Sequence, residues 1–144
     1  MPRSRRSLWA VLIAFIVMVL ITGCGGMSED EARNEVHERV DKLAARIGTN
    51  PRVTLDGPAG MDPEASTLDY SYDVDVDIED GVLDKLRGPI AEEMRDDGWT
   101  VDYDEDLTLV TYGHEDGRVF VIAVSKKKGT ANVGGDTPFN NPDS

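Results

Sequence analysis

Residues 68–78 read Leu-Asp-Tyr-Ser-Tyr-Asp-Val-Asp-Val-Asp-Ile, an alternation of large apolar and short polar side chains without a fault. Successive side chains of a strand point to opposite faces, so this run can only be a strand with one buried and one wet face. Leu68, Tyr70, Tyr72, Val74, Val76 and Ile78 belong to a core. Asp69, Asp73, Asp75 and Asp77 line the other face, which must meet water because four like charges in a row repel one another. Any fold for this chain has to cover one side of that strand and leave the other open.

The cover comes from two amphipathic segments. Ser28 has Glu31 three residues on, the spacing of a capping box, and Glu29, Asp30 and Glu31 favour the positive end of a helix dipole. Ala32, Val36, Val40, Leu43 and Ile47 then recur at helical spacing. Glu29–Arg33, Glu35–Arg39 and Glu38–Lys42 are i,i+4 pairs in the better orientation. Gly48 and Asn50-Pro51 stop this helix. Val82, Leu86, Ile90 and Met94 mark a second helix over 82–97, interrupted at Gly88-Pro89. Gly98 and Trp99 suit a Schellman end, with Trp99 packing back on Met94.

Between the first helix and the long strand, residues 49–66 carry Pro51, Gly57, Pro58, Gly60 and Pro63 and read as loop, with a short extended piece at Arg52 to Leu55. After the second helix come short strands at 99–103, 107–112 and 119–124, with a piece at 130–133. Asp116-Gly117 closes a hairpin and Lys126-Lys127-Lys128-Gly129 another turn. Tight links mean antiparallel neighbours. The expected fold is α+β, a two-layer sandwich with two helices on one face of a mainly antiparallel sheet of four to five strands. Residues 28–134 form one domain, and 135–144 read as a loosely ordered tail.

The start of the chain is of another kind. Arg3, Arg5 and Arg6 precede an unbroken apolar run of 14 residues, 8–21, followed by Thr22-Gly23-Cys24. A helix needs about 20 apolar residues to cross a bilayer, so the run is a signal-peptide core and not a span. Leu20-Ile21-Thr22-Gly23-Cys24 resembles a bacterial lipobox, in which the cysteine is lipidated and becomes the mature N-terminus. Cys24 is also the single cysteine of the chain, with no disulfide partner available, which lipidation explains. With the arginine-rich start and Asp97-Gly98-Trp99 behind a helix, the chain is similar to small lipoproteins of actinobacteria. The resemblance implies a signal peptide over 1–23, a lipidated tether over 24–27, and a place on the extracytoplasmic face of the cell membrane. It implies no enzymatic activity.

Removal of residues 1–23 leaves 121 of 144 residues and takes the formal charge from −13 to −16. Acidic residues run through the whole remainder. Nucleic acid is excluded as a partner, since phosphate binding requires clustered Lys and Arg. The one basic cluster, Lys126-Lys127-Lys128, protects a strand end or meets an anionic envelope polymer. Asp73, Asp75 and Asp77 repeat the opening of an EF-hand loop. The pattern fails at its sixth position, Ile78, where glycine is needed, and at its twelfth, Asp84 in place of a bidentate glutamate. Along a strand these carboxylates stand about 6.5–7 Å apart, so they bind cations weakly or are simply solvated. His37 and His114 have no second ligand at zinc spacing, and Ser28, Ser66, Ser71 and Ser125 no neighbouring base. No cofactor is implied. The expected function is a non-catalytic interaction or accessory module for an envelope protein or polymer. The alternative is a small-ligand or cation carrier using the acidic face.

Overall fold

The computed structural model describes residues 26–144 except 61, 63, 105 and 107. The signal segment and Cys24 lie outside the described residues.

Helix α1 (Glu29–Ile47) begins as its sequence dictates: the Ser28 hydroxyl accepts from the Glu31 amide and the Glu31 carboxylate from the Ser28 amide. Its apolar stripe, Ala32, Val36, Val40, Leu43 and Ile47, is buried. Among the described residues, only Glu35–Arg39 of the three i,i+4 pairs forms an ion pair. The chain passes from Gly48 directly into strand β1 (Gly48–Ala59). This corrects the reading of 49–66 as loop.

Strand β1 pairs antiparallel with β2 (Thr67–Ile78), with register shifts between Thr49 and Arg52 and between Val53 and Leu55. Asn50, in left-handed backbone at φ 53°, sits in the first of these. Bulges of this kind break the alternation that would have revealed the strand.

Helix α2 (Val82–Arg87) and helix α3 (Pro89–Asp96) are the second amphipathic segment, broken at Gly88. Pro89 opens α3, where its missing N–H is harmless. The Schellman end is present. Gly98 takes φ +88°, its amide bonds to Arg95 O at 3.0 Å, and the Trp99 amide to Met94 O at 2.9 Å.

Strands β3 (Thr100–Tyr103), β4 (Leu109–Gly113), β5 (Val119–Ser125) and β6 (Thr130–Asn140) complete a six-stranded antiparallel sheet of order β1-β2-β6-β5-β4-β3. The strand count exceeds the expected four to five because β1, interrupted by bulges, lacks the alternation that marks a strand in sequence. β6 also runs to Asn140, so residues 135–140, expected to be loose, pair with β2 along its length.

All three described helices lie on one face. Tyr70, Tyr72, Val74 and Val76 of β2 and Ala131, Val133 and Phe139 of β6 meet α1 in the core. Close approach there depends on Gly135. A Cβ at that position would lie 2.6 Å from Val40 Cγ2 and 3.0 Å from Val36 Cγ2. Phe120, Ile122 and Val124 of β5 and Val110 and Tyr112 of β4 continue the core under α2 and α3, where the Tyr112 hydroxyl donates to Leu86 O at 2.5 Å. Among the described residues no helix lies over the sheet's other face.

Candidate functional site

The uncovered face divides into two strips. The acidic strip runs down β2 and β6. Asp77 accepts from Asn50 Nδ2 at 3.0 Å and Arg52 Nη2 at 2.9 Å. Asp75 accepts from Asn132 Nδ2 at 2.8 Å. Asp136 of β6 accepts from the Ser71 hydroxyl at 2.5 Å. Asp73 leans across Gly134, its cross-strand partner, where a Cβ would stand 2.8 Å from Asp73 Oδ1. The three aspartates singled out in the sequence therefore share one face, and Asp69 and Asp136 join them. Asp73, Asp75, Asp77 and Asp136 are half-buried or tied to neighbours, whereas Asp69 is exposed. Among the described residues no group of three or more His, Cys, Asp or Glu side chains is arranged to hold a metal ion.

Burial and the neighbouring Asp136 push the Asp69 and Asp73 carboxyls above the ordinary range, and Asp75 adds to the effect on Asp73. The sign of the consequence is fixed. In the unfolded chain Asp73 ionises freely, whereas in the fold its charge is opposed, so stability falls as pH rises through the window between the two pKa values. Asp73→Asn is expected to stabilise the domain at pH 7 by about 0.5 kcal/mol, after allowance for solvent screening. The gain should shrink as pH falls through that window and vanish below the ordinary carboxyl range. Urea midpoints of both proteins measured from neutral pH down to pH 3 test this, and an unchanged or lowered midpoint at neutral pH would contradict it.

The second strip is apolar and lies on β5 and β4. Val121 and Leu109 are exposed large side chains there. Leu109 pairs with Ala123, Val121 with Thr111 on one side and Gly134 on the other. Because Asp73 rests on Gly134, the two strips abut.

The opposite layer holds a different constellation. Glu35 bridges two arginines. Its carboxylate lies 3.0 Å from Arg39 Nε, accepts from Arg39 Nη2 at 3.0 Å, and accepts from Arg118 Nη1 at 3.1 Å. The Thr137 hydroxyl also donates to Glu35. Arg118 is held on its other side by Asp116 at 2.7 Å. Both guanidinium groups lie 5.2 Å from the Trp99 ring centroid, and that of Arg39 lies 4.5 Å from Phe120. Burial, the largest influence, and the charge of Arg118 lower the Arg39 pKa, against the pull of Glu35.

The sequence displays Glu35 and Arg39 as an i,i+4 pair on a helix and gives Arg118 no role. Nothing in the spacing signals that they meet over Trp99, because the contact spans 83 positions.

His37 stacks on Tyr72 with ring centroids 3.9 Å apart, and its Nε2 lies 2.7 Å from Asp56 Oδ1, which also accepts from the Tyr70 hydroxyl at 2.7 Å. Burial opposes ionisation of Asp56, but these two hydrogen bonds hold its carboxyl below the usual range. The group fastens β1 to α1. Among the described residues no serine, threonine or cysteine bonds to His37, so no nucleophile completes the dyad. His114 packs against Trp99 and pairs with Asp116 at 3.0 Å. Ser28 is a cap, Ser71 bonds Asp136, and the Ser125 hydroxyl accepts from the Lys128 amide. The Lys126–Lys128 cluster forms the exposed turn between β5 and β6. Among the described residues no helix is long and apolar enough to cross a membrane. No protein-family model matches the chain, and neither does any curated protein or solved structure.

Proposed function

We propose that this chain is an extracytoplasmic lipoprotein, anchored through Cys24, that acts as a non-catalytic interaction module by presenting the open face of its sheet to a protein partner. The observation that carries the reading is the junction of the acidic and apolar strips at Asp73 and Gly134. An uncovered apolar strip beside opposed carboxylates suits a partner surface that is itself apolar and basic. The repulsion among Asp69, Asp73 and Asp136 is a stability cost that such a partner would relieve.

The tether supports the anchored reading. The Asn140 amide bonds to Met27 O at 2.9 Å, so the chain is part of the domain by residue 27. Gly25 and Gly26 alone separate Cys24 from that point, a reach of roughly 10 Å. An acylated Cys24 would hold the start of α1, the end of β6 and the β1–β2 connection next to the bilayer. Two acyl chains suffice for stable attachment.

Cys24→Ala is expected to leave the protein unprocessed or released, read by fractionation of membranes and by the mass of the mature N-terminus. Firm retention with unchanged processing would remove the anchor from the reading. For the docking face, a photo-crosslinking residue at Val121 should capture a discrete partner in intact cells, whereas one at Glu38, on the exposed side of α1, should not. Asp73→Lys should abolish the Val121 adduct. Equal adducts from both sites, or an adduct indifferent to Asp73→Lys, would refute the face.

A further inference from the structure

We infer that the cleft between α1, α3 and the β5 side of the core binds a small carboxylate carrying a compact apolar body. The cleft has a volume of about 260 Å³. Its lining joins apolar Leu43, Ile90, Met94, Trp99 and Phe120 to cationic Arg39, Lys42, Arg46 and Arg118, with Glu93 and Asp97 as the acidic members. Four cations at one opening are conspicuous in a chain with a formal charge of −13.

Two of the four are already satisfied. Arg46 is held by both oxygens of Glu93, at 2.7 and 3.0 Å, and Arg118 by Glu35 and Asp116. The other two have capacity to spare. Among the described residues Lys42 has no ion-pair partner. Arg39 Nη1 is buried without any hydrogen-bond acceptor, and Arg39 Nε, although 3.0 Å from Glu35 Oε1, is not aligned to donate to it. A buried donor left unmade is unfavourable, so an acceptor that reached Arg39 would gain more than the same contact at the surface. The guanidinium is pre-oriented by its stacking over Phe120 and Trp99. Preorganisation of this kind lowers the ordering cost of binding.

The shape limits the ligand. Glu93 and Asp97 also line the opening, which disfavours polyanions. The volume lies just under the usual range of about 300–1,000 Å³ for small-molecule sites, so the body is small. A carboxylate would take Arg39 and Lys42, and a short hydrocarbon would lie on Trp99 and Met94. This inference is independent of the docking face, which is on the far side of the sheet.

Trp99 supplies the readout. The protein in detergent, with Trp99 as its single tryptophan (Trp9→Phe where residues 1–23 are retained), is titrated at constant ionic strength with hexanoate, with neutral hexanamide and with inorganic phosphate. The expected result is a saturable Trp99 fluorescence change with hexanoate, with Kd below about 1 mM, and binding at least about tenfold weaker for the amide and for phosphate. Lys42→Gln alters an exposed, unpaired side chain and should weaken hexanoate several-fold while leaving the melting temperature unchanged. Arg39→Gln should abolish binding. No saturable response to hexanoate up to about 10 mM would overturn the inference. So would equal binding of hexanamide or phosphate, or an affinity unaffected by Lys42→Gln.

Discussion

Trp99→Ala is expected to destabilise the domain by about 3–5 kcal/mol, the loss typical of a large aromatic side chain truncated in a core. Trp99 is 8% exposed and its ring centroid is 5.3 Å from that of Phe120. It fills the corner where α3 ends, β3 begins and α1 crosses. Both arginines bound to Glu35 stack over it, so its removal strips the apolar support from two charges at once. Small domains have about 5–15 kcal/mol in total, so the variant should be on the edge of unfolding at 37 °C. Urea denaturation followed by circular dichroism should report a lowered midpoint with an unchanged slope. A loss below about 1 kcal/mol would mean that the corner repacks without the indole.

Glu35→Ala should have the second largest effect, a loss of about 2–4 kcal/mol. Deleting one partner of a buried ion pair leaves an uncompensated charge, here Arg39, while Arg118 keeps only Asp116. Arg39 and Arg118 would face each other over Trp99 with Asp116 alone to balance them. The lower part of the usual range applies because the Glu35 side chain retains 24% exposure. Added salt should recover part of the loss by screening the two arginines. Combining Glu35→Ala with Arg39→Met should cost less than the sum of the single changes, since the double variant buries no unpaired charge at this position. Additive effects would show that Glu35 acts by packing alone.

Both effects arise from a site that the sequence displays only in pieces. Glu35 and Arg39 are visible as an i,i+4 pair, and Trp99 is visible as the residue after a helix-ending glycine. That Arg118 and Thr137 converge on Glu35 depends on β5 and β6 lying side by side beneath α1. Strand order is a property of long-range pairing, which no local spacing encodes.

The sequence by itself determined what rests on period and on local capping. The alternation over 68–78 dictated β2, its buried tyrosines and valines and its aspartate face, because a strand turns successive side chains to opposite sides. The capping box at Ser28 and Glu31 and the Gly98-Trp99 end were equally legible, because their hydrogen bonds close within six residues. The extent of strand β1 beyond the short extended piece at Arg52 to Leu55, and the second half of β6, were decided by the tertiary structure alone. Residues 48–59 carry two prolines, two glycines and two register shifts, so they lack a strand's periodicity. They become one because β2 offers an edge and because Asp56 bonds His37 and Tyr70, and Arg52 bonds Asp77. In β6, Gly134 and Gly135 straddle the point where the sequence reads as passing from the domain into a loose tail. Their small size is instead what lets Asp73 lean over one face and Val36 and Val40 press on the other. Absence of a side chain has no local signature of its own, and its meaning appears only when the neighbours on both faces of the sheet are in place.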